Sequence, residues 1–274
     1  MAAPGRAWIG ISGYDYPHWR GTFYPEDLPR RRWFAHASRV FNSIELNGTF
    51  YSLKTPAVYE RWAAEAPRRG FVFAVKGSRF ITHNLKLRRA RPALANFYAS
   101  GVLALGRRTG PFLWQLPATY RFEAERLESF MTLLPRTSAE AEALARDHDQ
   151  RLKNGALLEA AERTALRHAF EPRHESYFQP DFYALLRRHD CGFVIADTAG
   201  KFGYAEHVTA GFAYVRLHGS RRLYASRYGD EELDQWAGKA ESWSRQGRDV
   251  YVYFDNDARG HAPRDAQRLA LRLQ

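Results

Sequence analysis

Short runs of apolar, β-branched and aromatic residues recur along the chain, separated by stretches whose apolar positions repeat at helical spacing. The runs predict strands at 8–12, 43–47, 71–76, 112–116, 168–173, 192–197, 212–218 and 249–254. Amphipathic stretches at 55–65, 90–99, 123–134, 181–188 and 231–245 lie between them. Pro56 suits a first helical turn, Asp181 after Pro180 signals an N-cap, and Leu233, Trp236, Ala240 and Trp243 draw a stripe that faces a core. Alternation of this kind requires parallel strands joined by right-handed crossovers. Eight such units close into a (β/α)8 barrel, the TIM-barrel class of α/β fold, rather than an open sheet.

Two regions break the rhythm. Residues 15–32 form a long loop carrying Trp19, Phe23 and Tyr24, and residues 137–165 read as a helical insertion before the fifth strand. Within the insertion a helical pair is expected, with Ser138 capping the first helix and Asn154-Gly155 ending it. His148, between Asp147 and Asp149, belongs to a solvated face there. No repeat or linker divides the chain, so residues 1–274 are expected to form one domain.

Composition supports that reading. The chain has 274 residues, 45% hydrophobic and 15% aromatic, enough to bury a large core and far from a disordered sequence. Its apolar runs are strand-sized, well short of the ~20 residues of a spanning helix, and the first nine residues hold no leader-like stretch. A single cysteine, Cys191, excludes an internal disulfide and any multi-cysteine metal site. A cytoplasmic protein without membrane attachment is expected. The formal charge of +11, from 41 basic and 30 acidic residues, raises nucleic acid as a partner. The arginines, however, are scattered along Ala-rich helices rather than gathered in one run.

Chemistry concentrates at the predicted strand ends, where barrels carry their sites. Glu45 and Asn47 end the second strand, and Lys76 ends the third, followed by Arg79 and His83. Gln115 lies on the fourth. Glu171 and Arg173 end the fifth, followed by His174 and Glu175, and Asp197 ends the sixth. Arg216 and His218 end the seventh, and Asp255, Asn256 and Asp257 follow the eighth. Inward charges in an apolar barrel must pair with one another or serve a ligand. Arginine forks suit carboxylates and phosphates. The loop His218-Gly219-Ser220-Arg221-Arg222 reads as a backbone nest for an anion. No cofactor is specified, because the chain has no Walker loop, full dinucleotide fingerprint, Gly-x-Ser-x-Gly elbow or His-Glu-x-x-His helix.

The motifs resemble those of the YecE-like family, number seventy-two among the domains of unknown function. The resemblance is carried by Ile9-Gly10-Ile11-Ser12-Gly13-Tyr14, Phe23-Tyr24-Pro25, the run Phe41 to Asn47 with Thr49-Phe50-Tyr51, and Phe73-Ala74-Val75-Lys76 with Phe80-Ile81-Thr82-His83. Gln115-Leu116-Pro117, Glu171-Pro172-Arg173-His174, Val215-Arg216-Leu217-His218-Gly219 and the run Tyr251 to Asn256 complete it. It runs from Trp8 to the C-terminus and implies a TIM barrel with no established activity. Tyr14 and Tyr177 stand where that family often has Trp, and both keep an aromatic face.

The residues themselves lead first to a hydrolase or lyase acting on a small anionic ligand. Glu171 or Glu45 would be general base or acid, with His174 or His218 as partner; Lys76, Arg173 and Arg216 would hold the anion, and Asn47, Gln115 and Asn256 would orient its polar groups. Three alternatives stay open. One is a metal-dependent phosphoesterase or nuclease using Glu45, Glu171, His174, Asp197, His218 and Asp255. Another is a glycosidase with paired carboxylates. The last is a non-enzymatic protein that binds nucleic acid or a partner through its arginines and the aromatic loop around Trp19.

Overall fold

The computed structural model describes residues 3–153 and 155–274. Eight parallel strands close into a barrel in sequence order: β1 Ala7–Ser12, β2 Ser43–Leu46, β3 Val72–Lys76, β4 Thr109–Leu116, β5 His168–Pro172, β6 Cys191–Asp197, β7 Phe212–Leu217 and β8 Asp249–Phe254. The helices are α1 Trp33–Val40, α2 Gly48–Tyr51, α3 Pro56–Glu65, α4 Arg91–Ala99, α5 Ala124–Leu133, α6 Ser138–Ala145, α7 Pro180–Arg188, α8 Asp230–Arg245 and α9 Ala262–Arg272. The protein is a TIM barrel, as the strand–helix alternation requires. No described helix is long and apolar enough to cross a membrane.

Strand alternation divides two cores. Outward residues such as Ile9, Ile44, Phe73, Val75, Val215 and Val252 pack against the helices. Inward residues Val72, Ala74, Leu113, Ala169, Val194, Tyr214 and Tyr253 fill the barrel. Gly10 is required where β1 meets β2, since a Cβ there would lie 1.9 Å from the Ser43 carbonyl oxygen.

Several elements differ from expectation. β4 begins at Thr109 and so includes Gly110 and Pro111, a pair that reads as a turn. A register irregularity between β3 and β4 beside Phe73 and Val75 accommodates them. α7 starts with Pro180 at its first position and Gln179 as N-cap, not Asp181. α1 and α9 were not expected as elements, although Ala262, Ala266 and Leu269 of α9 follow helical spacing and are buried. The β6–β7 crossover, residues 198–211, contains no helix. It is tied down by Thr209, whose hydroxyl accepts from the Phe193 N–H at 2.8 Å and donates to the Cys191 carbonyl at 2.6 Å.

The insertion holds one described helix rather than a pair. Thr137, not Ser138, caps α6: its hydroxyl accepts from the Glu140 N–H at 3.2 Å while the Glu140 carboxylate accepts from the Arg136 N–H at 2.7 Å. Residues 155–165 run as turns and extended chain. Leu157 and Ala161 donate their N–H groups to the Ala99 and Leu103 carbonyls, at 2.8 and 3.2 Å, so tertiary pairing overrides helix-forming composition. Asn154, expected to end a helix, lies outside the described residues.

Candidate active site at the barrel mouth

The strand ends deliver a polar layer on top of the apolar barrel interior. Registers place Ser12 beside Glu45, Gln115 beside Glu171 and Arg216 beside Tyr253, all inward by alternation. Arg216 is the hub, fully buried. Its Nε donates to Glu45 Oε2 at 3.1 Å and its Nη1 to Glu171 Oε2 at 2.8 Å. Its Nη2 donates to Glu45 Oε1 at 2.8 Å and to Asp255 Oδ2 and Ser12 Oγ, both at 3.0 Å. A guanidinium has five N–H donors; with His218 Nε2 3.3 Å from Nη1 as well, each has a partner within the protein.

The carboxylates are equally saturated. Glu45 also accepts from the Ser12 hydroxyl and, at 2.6 Å, from the Tyr214 hydroxyl. Glu171 Oε1 accepts from Arg173 Nε at 3.1 Å and Nη2 at 3.0 Å, and its Oε2 from Gln115 Nε2 at 3.0 Å. Burial opposes ionisation of Glu171, but Arg216, Arg173 and His218 outweigh it and hold the carboxyl well below the usual range. Asp255 behaves alike: burial is overcome by Arg216 and His218, leaving it at about 2. His218 is fully buried, with Nε2 3.3 Å from Arg216 Nη1 and Nδ1 2.9 Å from Asp255 Oδ2.

Lys76 stands apart. It is 5% exposed, and its ammonium lies 4.3 Å from the Phe50 ring centre. Among the described residues only Lys76 and Arg216 are buried Lys or Arg side chains. Arg216 pairs with three carboxylates, whereas Lys76 has no ion pair or side-chain hydrogen bond among the described residues. Burial, followed by the Arg216 charge, lowers its pKa from 10.5 to about 8, although Glu171, Glu45 and Asp255 pull the other way. His83, half-buried nearby, is pushed down to about 4 by burial and by Lys76, Arg79 and Arg173.

Asn47 follows β2 and reaches an adjoining cleft of about 350 Å³ lined by Tyr14, Tyr16, Tyr51, Lys54 and Trp62. Its Oδ1 is buried and unpartnered. The mouth therefore assembles Glu45, Glu171, Lys76, Gln115, Arg173, Arg216 and His218, with Asn47 at its side.

Two site residues expected from sequence do not join it. His174 makes no hydrogen bond to Glu171; its Nδ1 accepts from the Ser176 N–H at 3.1 Å and caps the turn Glu175–Tyr177. Asn256 follows inward Asp255 and therefore points out to the helices, where its Nδ2 donates to Asp265 Oδ2 and the Ser226 carbonyl, both at 2.9 Å. Asp197 also lies off the layer, accepting from the Tyr228 hydroxyl at 2.9 Å. The backbone nest after β7 is already filled: Ser226 Oγ takes the Arg221 and Arg222 N–H groups, both at 3.1 Å, and Tyr228 Oη takes that of Gly219 at 3.0 Å. Trp19 is fully buried among Tyr16, Phe23 and Tyr24, which removes it as a stacking platform.

Sequence reading missed three tyrosines. Tyr214 grips Glu45, as described. Tyr253 hydrogen-bonds Ser43 at 2.7 Å. Tyr224 reaches Arg173 Nη1 at 3.2 Å and sets its ring edge-on to His218. The inward parity of Tyr214 and Tyr253 was the available signal. Asp257, at the rim, is raised to about 6 by burial and the neighbouring Asp255 charge.

The metal reading meets a specific obstacle. The Arg216 guanidinium occupies the space between Glu45, Glu171 and Asp255 that a divalent ion would need. No three described His, Cys, Asp or Glu side chains are arranged to hold an ion. The glycosidase reading needs a carboxyl raised to act as acid; within the buried layer Glu171 and Asp255 are both lowered, and the raised carboxyl is Asp257 at the rim.

Comparison with known proteins supports the fold. A family protein of Thermotoga maritima superposes with TM-score 0.74 at 23% identity, covering 98% of this chain and 99% of its own. A second, from Enterococcus faecalis, gives TM-score 0.72 at 16% identity, covering 97% and 95%. A D-psicose 3-epimerase of Clostridium cellulolyticum H10, described with D-tagatose, gives TM-score 0.53 at 11% identity over 97% and 98%. Among curated proteins, none matches the chain. Residues 8–274 match the family described as "Protein of unknown function DUF72", the family already suggested by the strand-end motifs, and the chain belongs to it.

Proposed function

We propose that the barrel mouth is the active site of an acid–base enzyme, a lyase or hydrolase, whose substrate is a small molecule bearing a negative charge. The observation that carries this reading is the isolation of Lys76 among neighbours that are otherwise fully paired. Three cations, Lys76, Arg173 and Arg216, face three carboxylates, Glu45, Glu171 and Asp255. The ion pairs and hydrogen bonds of that set leave Lys76 alone without a partner.

The roles shift accordingly from those read in the sequence. Glu171, held well below the usual carboxylate range, is a poor base; it and Glu45, each accepting four hydrogen bonds, serve to hold Arg216 and Arg173 in place. Lys76, with a pKa of about 8, exchanges protons near neutral pH, as a general acid–base group should. In its charged form it binds the substrate's anionic group beside Arg173, whose side chain is 15% exposed. After losing its proton it can take one from carbon or water. Gln115 and Asn47 orient the remaining polar atoms.

The test is thermal unfolding of the full chain against acetate and pyruvate. A concentration-dependent rise in Tm is expected for the wild type and should vanish in Lys76→Met. Failure of either anion to protect the wild type, or equal protection of the variant, would remove the reading.

A further inference from the structure

Several arginines on the outer helices are paired. Arg268 and Arg272 share Asp230, Arg188 meets Glu128, and Arg91 meets Asp147, whereas Arg39, Arg61, Arg187 and Arg264 have no ion pair among the described residues. Three unpaired arginines at the rim of the mouth are gathered in one place. Arg221, Arg227 and Arg259 line one cleft of about 390 Å³ together with His261. All three are exposed, and none has an ion pair or side-chain hydrogen bond among the described residues. The carboxylate that shares the cleft, Glu232, is turned to the helix: its Oε2 accepts from the Gly229 N–H at 2.6 Å where α8 begins. Cations gathered this way repel one another until an anion enters.

The position of the cleft matters. It lies between the loops after β7 and β8, where (β/α)8 barrels commonly hold phosphate. It also shares a wall with the mouth. Tyr224, whose hydroxyl meets Arg173, is followed by Ala225, Ser226 and Arg227 of the cleft. Its carbonyl accepts from the Ala258 N–H at 3.0 Å, next to Arg259. Tyr224 holds a left-handed φ of +61°, unusual for a residue with a Cβ and of the kind found where function fixes the backbone.

We infer that this cleft takes the phosphate group of a phosphorylated substrate whose other, reacting end lies at Lys76. The inference rests on the reading of the mouth given above and adds the substrate class. Guanidinium forks, not the backbone N–H groups after β7, supply the recognition.

Calorimetric titration of the full chain with inorganic phosphate, alongside acetate protection, separates the two claims. The double variant Arg227→Ala/Arg259→Ala removes exposed side chains and should melt as the wild type does. It should bind phosphate at least tenfold more weakly yet keep its response to acetate. Lys76→Met should show the reverse. Equal phosphate affinity in wild type and double variant, or no phosphate binding by the wild type, overturns the inference while leaving the acetate result to judge the mouth. Salt-sensitive binding of a single-stranded oligonucleotide that depends on the same arginines, without binding of inorganic phosphate, would also overturn it and assign the cleft to nucleic acid.

Discussion

Replacing Lys76 with Met keeps an unbranched chain of similar length against Phe50 and removes only the amine. The pKa of the amine falls from 10.5 to about 8 on folding, and each pKa step of one is worth 1.36 kcal/mol. Keeping Lys76 charged in the folded protein therefore costs about 3 kcal/mol. The sign follows from proton counts. Below pH 8 both states hold the proton and the folded state bears the full cost. Between pH 8 and 10.5 the unfolded chain keeps a proton that the folded chain has released, so stability rises with pH. Above 10.5 neither holds it and the cost is gone.

Urea unfolding of wild type and Lys76→Met from pH 6.5 to 9.5 reads this directly. At pH 7 the variant should be more stable, by an amount approaching about 3 kcal/mol, and the gap should narrow as pH climbs past 8. The difference between the two curves cancels the other titrating groups, including tyrosines whose raised pKa values act above pH 10. A buried charge that destabilises its own fold and is nevertheless present is what an active site predicts. If Lys76→Met were less stable than wild type at pH 7, or if the two curves ran parallel, Lys76 would be a structural cation and the reasoning would be wrong.

Three further outcomes are expected. Glu171→Gln removes the charge that holds Arg216 and Arg173 and should lose about 3–5 kcal/mol of stability, seen as a lower urea midpoint; unchanged stability would mean that the ion pairs are idle. His168 is fully buried, with Nε2 2.8 Å from the Pro135 carbonyl, and burial pushes it down to about 3. Its neutral form should therefore stabilise the fold above pH 6.5 and lose up to about 5 kcal/mol as pH falls toward 3, a limb that His168→Gln should lack when both are unfolded across that range. His148, whose ring lies 3.0 Å from the Ala145 carbonyl, is outside the mouth, and His148→Ala should leave acetate and phosphate binding within a factor of two of wild type; a tenfold loss, about 1.4 kcal/mol, would make residues 137–165 a lid.

What was legible in the sequence follows from the period of a strand. Glu45, Glu171, Arg173 and Arg216 share inward parity at the ends of apolar runs, so their convergence could be read from spacing alone. His174 and Asn256 sit one residue off that parity, and a single step turns a side chain from the barrel to the helices. The filled nest after β7 depends on Ser226 and Tyr228 folding back from residues beyond it, a pairing set by the loop's path and not by its composition. The second helix expected in 137–165 fails for a similar reason: the chain there finds carbonyl partners at Ala99 and Leu103 that local propensity does not report.

Partnership is harder to read than membership. In sequence, Lys76 and Arg216 are equivalent, each an inward cation at a strand end. In the barrel, Arg216 sits on β7 across from Glu45 of β2 and within reach of Glu171 and Asp255, and its planar fork can meet all three at once. Lys76 carries a point charge on a flexible stem and is left over once the forks have taken their partners. The same logic separates Glu171 from a catalytic base: its proximity to cations was foreseeable, but not that Arg216 and Arg173 would both donate to it, and their charges hold its carboxyl well below the usual range. A buried lattice of opposite charges that closes on itself holds geometry and does little chemistry. The group it leaves open, Lys76, is where a substrate's charge would complete the set.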